Sequence, residues 1–248
     1  MCFSATASFT AAGLLIPLGA AALARSLGPG LGSDPPPAST VALALAPLLF
    51  GLQQAIEGFV WIGVEGGGDA TWLAPTVLLY LFFAYGFWPA WIPFAVLRLE
   101  GGGRSASARG WRHHLTAVLL VGGLLMGGSL WLPLLVEAVP PIPGVVEGSL
   151  RYPTPTLFAG LGLGWLGEGL YAVVIGLPLL LCASLPARLY GLALLAAFAL
   201  TEWLYRPAFN SVWCYFCAVL SILILVIVWD RGSSVAGILS PTGGPPAE

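Results

Sequence analysis

The sequence predicts an all-α, polytopic membrane helix bundle with seven transmembrane helices, the N-terminus outside and the C-terminus inside. Three observations lead there. Only 8% of the 248 residues are charged and 58% are hydrophobic, whereas soluble domains carry about 25% charged residues; no water-soluble surface can be built from this composition. The apolar residues gather into seven segments of about the 20 residues that a spanning helix needs: roughly 7–27, 39–64, 72–98, 112–136, 163–185, 188–206 and 212–229. Their long strings of Leu, Ala, Val and Gly lack the alternation of a membrane barrel. Residues 1–231 read as one membrane domain and 232–248, rich in Gly, Pro and Ser, as a disordered cytoplasmic tail.

The first segment is expected to be a retained helix. No positive region precedes Phe3, as a secretory signal would require, and Cys2 lies before the apolar run, not after it. Pro89 and Pro93 predict kinks in the third helix and Pro178 in the fifth. The fourth opens with Trp111, Arg112, His113 and His114, an interfacial anchor; neighbouring His side chains point about 100° apart and make no chelating pair. The apolar region of the fifth starts near Thr156, too long for one upright span, so a partly embedded loop is expected ahead of it. Segments 28–38 and 101–110 read as flexible inner loops. Residues 137–156, rich in Pro, form the longest outer loop and lie over the mouth of the bundle.

Arginine placement sets the orientation. With seven spans, Arg25, Arg98, Arg104, Arg109, Arg112, Arg188 and Arg231 share one side, and only Arg151 and Arg206 fall on the other. The positive-inside bias makes the first side cytoplasmic. The many Ala, Gly and Pro, with nine Arg and no Lys, suggest a GC-rich bacterial genome and a multi-pass protein of the inner, plasma-membrane type. The lack of Lys excludes a Schiff base to retinal or pyridoxal phosphate. A net charge of −2 offers nothing basic enough for nucleic acid; the lipid bilayer is the expected partner.

Candidate chemistry centres on residues 201–217. Glu202 and Arg206, four apart, share a helix face as an ion pair. Pro207 ends that helix, and Asn210 or Ser211 can cap the next. Cys214 and Cys217 follow, three apart on one side. The second helix adds Gln53, Glu57 and Trp61 on one stripe, with Gln54 adjacent; Glu168 and Tyr171 open the fifth, and Tyr205 closes the sixth. The orientation gathers these groups into one outer layer. Three carboxyl groups, Glu57, Glu168 and Glu202, then face one cation, Arg206. Carboxylates in low dielectric take up a proton or recruit a cation, so Gln53, Gln54, Glu57, Trp61, Glu168, Glu202, Tyr205 and Arg206 are the expected ligand-binding residues. Cys2, Cys214 and Cys217 are the expected metal ligands, suiting copper(I), or zinc with a carboxylate as fourth; a disulfide and plain packing are the alternatives. Cys182 reads as packing, and the aromatics Trp72, Tyr80, Tyr85, Trp88 and Trp91 as belt and packing residues.

The start MCFSATASF, the stretch LLFGLQQAIEGFVW and RPAFNSVWCYFC together resemble a family of bacterial seven-helix integral membrane proteins of unassigned activity. Its members look alike in a Met-Cys-Phe-Ser start, a Gln-Gln-x-x-Glu-Gly-x-x-Trp helix and a Trp-Cys pair in the last helix. The resemblance covers the whole chain and implies that Cys2, Gln53, Gln54, Glu57 and Trp61 act as a unit with the last two helices. In that family a His stands before a Tyr in the outer loop; here Ser149 and Arg151 precede Tyr152, which disfavours a His-based metal site.

Three functions remain open. The first is a receptor, sensor or transporter-like protein whose outward polar pocket binds a cation or small polar ligand. The second is a membrane thiol or metal redox enzyme using Cys214, Cys217 and Cys2. The third is a structural subunit of a membrane complex. The absence of G-x-S-x-G, H-E-x-x-H and Walker patterns leans away from an enzyme.

Overall fold

The computed structural model describes residues 4–27, 38–68, 71–101, 110–136, 141–152 and 164–230. The expected inner loops and the tail, with Cys2, Arg104, Arg109 and Arg231, lie wholly or mostly outside them.

Helices α1 (Ala5–Leu27) and α2 (Val41–Glu65) pack antiparallel along most of their length. Small residues permit this approach. A Cβ at Gly19 would stand 2.3 Å from the backbone nitrogen of Leu48, and Gly51 and Gly58 meet Ile16 and the Phe9 ring in the same register. Apolar burial supplies no drive between helices in lipid, so close van der Waals contact of this kind carries much of their association.

The third segment is not one α-helix. It consists of α3 (Leu73–Leu81), a π-helical stretch Phe82–Phe87, and α4 (Trp88–Gly101). Pro89 supplies the reason. In the π register the Trp88 N–H reaches the Phe83 carbonyl; the next donor should be residue 89, which as proline has no N–H. The chain absorbs Pro89 by widening the turn ahead of it, while Pro93 and Pro178 sit inside helices. Helix α5 (Trp111–Trp131) then lies against this irregular stretch. A Cβ at Gly123 would stand only 1.9 Å from the Pro89 carbonyl oxygen.

The loop expected over the bundle mouth contains strand structure that the all-helical reading omits. β1 (Gly144–Val146) and β2 (Ser149–Arg151) form an antiparallel hairpin in which Val146 pairs with Ser149 and Val145 with Leu150. Its two-residue turn, Glu147-Gly148, has φ of 52° and 75°, a type I′ conformation matched to strand twist. β2 packs on the 3₁₀ turn Arg206–Ala208 and on α8 (Phe209–Leu220).

Between them run α6 (Gly164–Leu181) and α7 (Leu185–Leu204); α9 (Leu223–Asp230) follows α8 after a short turn. At the other end of the bundle, Glu100 accepts the Ala183 N–H at 2.8 Å, tying the end of α4 to the α6–α7 turn.

Among the described residues, six helices are long and apolar enough to cross a membrane: Ala5–Leu27, Val41–Glu65, Leu73–Gly101, Trp111–Leu135, Leu185–Leu204 and Arg206–Val228. The fold is thus an all-α bundle of multi-pass membrane type. The segment predicted at 163–185 is α6, whose apolar part Leu166–Leu181 falls short of that length.

The α4–α5 contact makes a paired prediction. Gly123→Ala drives a methyl into the Pro89 carbonyl and should cost about 1–3 kcal/mol. Gly122→Ala meets nothing within 4 Å and should be neutral or stabilising by up to about 1 kcal/mol. Thermal unfolding in detergent separates them; equal melting temperatures would contradict the packing.

Candidate functional site

The stripe on α2 faces inward. Gln53, Gln54, Glu57 and Trp61 are all buried, as their i, i+4 spacing and neighbourhood dictate. Glu57, 1% exposed, is the centre. Ser211 Oγ donates to its Oε1 at 2.6 Å and Gln54 Nε2 to its Oε2 at 3.2 Å. Tyr80 on α3 adds a third side-chain hydrogen bond. No cation is among the groups that act on Glu57 in the described residues.

Asn210 and Ser211 do not serve as the expected caps. Ala208 holds the N-cap position of α8, and no side chain caps that helix. Ser211 instead reaches α2, while Asn210 Nδ2 donates to the Tyr85 hydroxyl at 2.6 Å and the Asn210 carbonyl accepts from Tyr80 at 3.4 Å. Burial explains the change: a polar side chain inside the bundle has more to lose unpaired than a frayed helix end has to gain.

Around this core the aromatics are fixed by polar tips. Trp88 Nε1 donates to Gln53 Oε1 at 2.6 Å, and its ring stacks on Phe50 at 3.7 Å. The Tyr171 hydroxyl donates to the Ala84 carbonyl, the acceptor that Pro89 leaves without a backbone partner in the π register. From the hairpin, Tyr152 stacks on Tyr80 with centroids 4.9 Å apart and planes at 14°.

Gln54 Oε1, Gln53 Nε2, the Tyr152 hydroxyl and Ser149 Oγ are buried polar atoms that make no well-formed hydrogen bond. Gln53 nevertheless acts on the Cys214 sulfur, which also bonds with Tyr80. Cys214 and Cys217 both border a cavity of about 20 Å³, shared with Trp88, Tyr171, Tyr190 and Trp213; that is room for about one water. Among the described residues no group of three His, Cys, Asp or Glu side chains could hold a metal, and Cys2 lies outside them. Cys182 is buried at the end of α6.

Comparison with protein families, curated proteins and solved structures finds no match.

The remaining candidates form a second group. Arg206 Nε meets Glu202 Oε1 at 3.0 Å, although α7 ends at Leu204; Tyr205 leaves helical geometry and the 3₁₀ turn brings Arg206 back. Glu168 bonds with Glu202 and feels Arg206. The Arg206 side chain is 63% exposed, and it is not among the groups that act on Glu57. The single layer expected from sequence thus resolves into a buried Glu57 group and a Glu168–Glu202–Arg206 group at the bundle rim. His113 and His114 sit at the start of α5, where Arg112 lies over the Trp111 ring at 5.7 Å.

Sequence reasoning assigned Tyr80, Tyr85 and Trp88 to belt and packing, and gave Tyr152 no role. A phenol or indole within an apolar span still carries a donor that must be satisfied, and that demand was the usable signal.

Tyr171→Phe should cost about 1–3 kcal/mol by orphaning the Ala84 carbonyl. Combined with Pro89→Ala, which returns a backbone N–H at position 89, the loss should shrink. A thermal-unfolding double-mutant cycle with coupling below about 0.5 kcal/mol would contradict this account.

Proposed function

We propose that this chain is a bacterial inner-membrane protein with seven crossings and the N-terminus outside, which binds a cation or small polar ligand at Glu57 as a receptor, sensor or transporter-like protein. The observation that carries the reading is a buried carboxyl group bonded to Ser211, Gln54 and Tyr80 with no cation among its partners in the described residues. Beside it stands Gln54 Oε1, a buried amide oxygen that makes no hydrogen bond. Ionisable groups inside a membrane are costly to keep and by default point to a functional site. Gln53, Gln54 and Trp61 orient the ligand. Glu168, Glu202, Tyr205 and Arg206 shape the field at the rim. The arginine distribution supports the orientation, and the hairpin and the Arg206 turn share one end of the bundle.

Thermal unfolding of the detergent-purified protein against alkali and alkaline-earth salts, amides and sugars tests the reading. A ligand at one hundred times its Kd adds about 2.7 kcal/mol. At least one solute should raise the melting temperature of the wild type, and Glu57→Gln should lose that response. A wild type indifferent to every solute would end the proposal.

A thiol or metal site is the second reading, favoured by Cys214 and Cys217 bordering one cavity. Elemental analysis decides it. Stoichiometric copper or zinc, lost in Cys214→Ser, is the outcome it requires.

A further inference from the structure

The Glu57 site has one ionisable carboxyl group and a set of unused atoms, and together they narrow what it can take. Glu57 brings one carboxyl group. Ser211 and Gln54 Nε2 donate to it, and the Tyr80 hydroxyl, whose one proton Glu57 shares with the Asn210 carbonyl, is the third partner. An anion would set like charges together in a low-dielectric interior, which is strongly unfavourable. A divalent ion of the calcium type wants about six to eight oxygen ligands, usually with several carboxylates; among the described residues one carboxyl group acts here. A single positive charge is the match.

The unused atoms agree. Gln54 Oε1, on the residue whose Nε2 already holds Glu57, is a buried acceptor with no hydrogen bond. The Tyr152 hydroxyl is the second; it lies within electrostatic reach of Glu57, Cys214 and Tyr85. Burial pushes that phenol well above its ordinary range, so it stays neutral and offers an oxygen without adding charge. Its position follows from the hairpin. The type I′ turn sets the register, the strand period of two puts Leu150 and Tyr152 on one face, and both are buried, with Tyr152 lying on the Tyr80 ring. The hairpin therefore reaches the polar group from above and contributes an atom to it.

We propose that the ligand of this site is a small monovalent cation, an alkali metal ion or ammonium, held by Glu57, Gln54 Oε1 and the Tyr152 hydroxyl, with the hairpin as its cover. This rests on the ligand-binding reading of Glu57 and adds the class of ligand and one contact residue.

The test is thermal unfolding of the full chain in detergent at constant ionic strength. Choline chloride, the salt of a bulky quaternary ammonium ion, is replaced stepwise by sodium, potassium or ammonium chloride, with magnesium and calcium chlorides and acetamide as further arms. The wild type should melt higher in one of the three small monocations, and which one identifies the ion. Tyr152→Phe should raise the half-saturating concentration by about tenfold, or roughly 1.4 kcal/mol, while Glu57→Gln should respond to none. If magnesium, calcium or acetamide stabilises the wild type and Glu57→Gln abolishes that, the monocation class falls and the ligand-binding reading survives. If nothing stabilises it, both fall. An unchanged half-saturation in Tyr152→Phe removes the hairpin contact. Should Glu57→Gln fail to fold, equilibrium binding of labelled sodium and rubidium to the wild type decides: about one ion per chain is expected, and none, with no ammonium response, overturns the proposal.

Discussion

A carboxyl group shut inside an apolar bundle cannot turn to water, so the helices that meet it must bring hydrogen bonds. Glu57 imposes that demand here. Ser211 answers from α8, Tyr80 from α3 and Gln54 from the preceding turn of α2 itself. The requirement is positional as well as energetic. Asn210 and Ser211 are neighbours on α8, yet one bonds to Tyr85 and the other to Glu57. Two consecutive side chains thus pin α8 both to α2 and to the π stretch. The aromatic stacks of Phe50 on Trp88 and Tyr152 on Tyr80 follow from that arrangement.

Pro89 is the second organising constraint, and it works by subtraction. It removes one backbone donor and lets the turn before it widen. The freed Ala84 carbonyl is then taken by Tyr171, and the Pro89 carbonyl itself is where α5 comes closest, at Gly123. One short stretch therefore joins α4 to both α5 and α6. π-helical segments often occur at functional sites, and this one presents Tyr85 to Asn210 beside the Glu57 group.

Much of this was legible in the sequence where the determining physics is local. Low charge and apolar length fix the class of protein, and the i, i+4 spacing of Gln53, Glu57 and Trp61 puts them on one buried face. What escaped depends on partners far away in the chain. Asn210 and Ser211 look like helix caps because capping is the local use of those side chains; only the packed bundle shows the stronger claim upon them. Glu57 and Arg206 were grouped by depth, and rise per residue does give depth. It does not give side-chain partners, and in the described residues the two belong to different groups. The hairpin was missed because Glu-Gly is a weaker turn signal than Asn-Gly or Asp-Gly.

The hairpin also limits how such a chain can drift over evolutionary time. Successive strand residues alternate in direction, so one residue inserted or deleted between Gly148 and Tyr152 would swing the phenol away from Tyr80 and bring Arg151 or its replacement inward. Composition along this strand is free to change at Arg151, which points outward. Its length can change only in even steps.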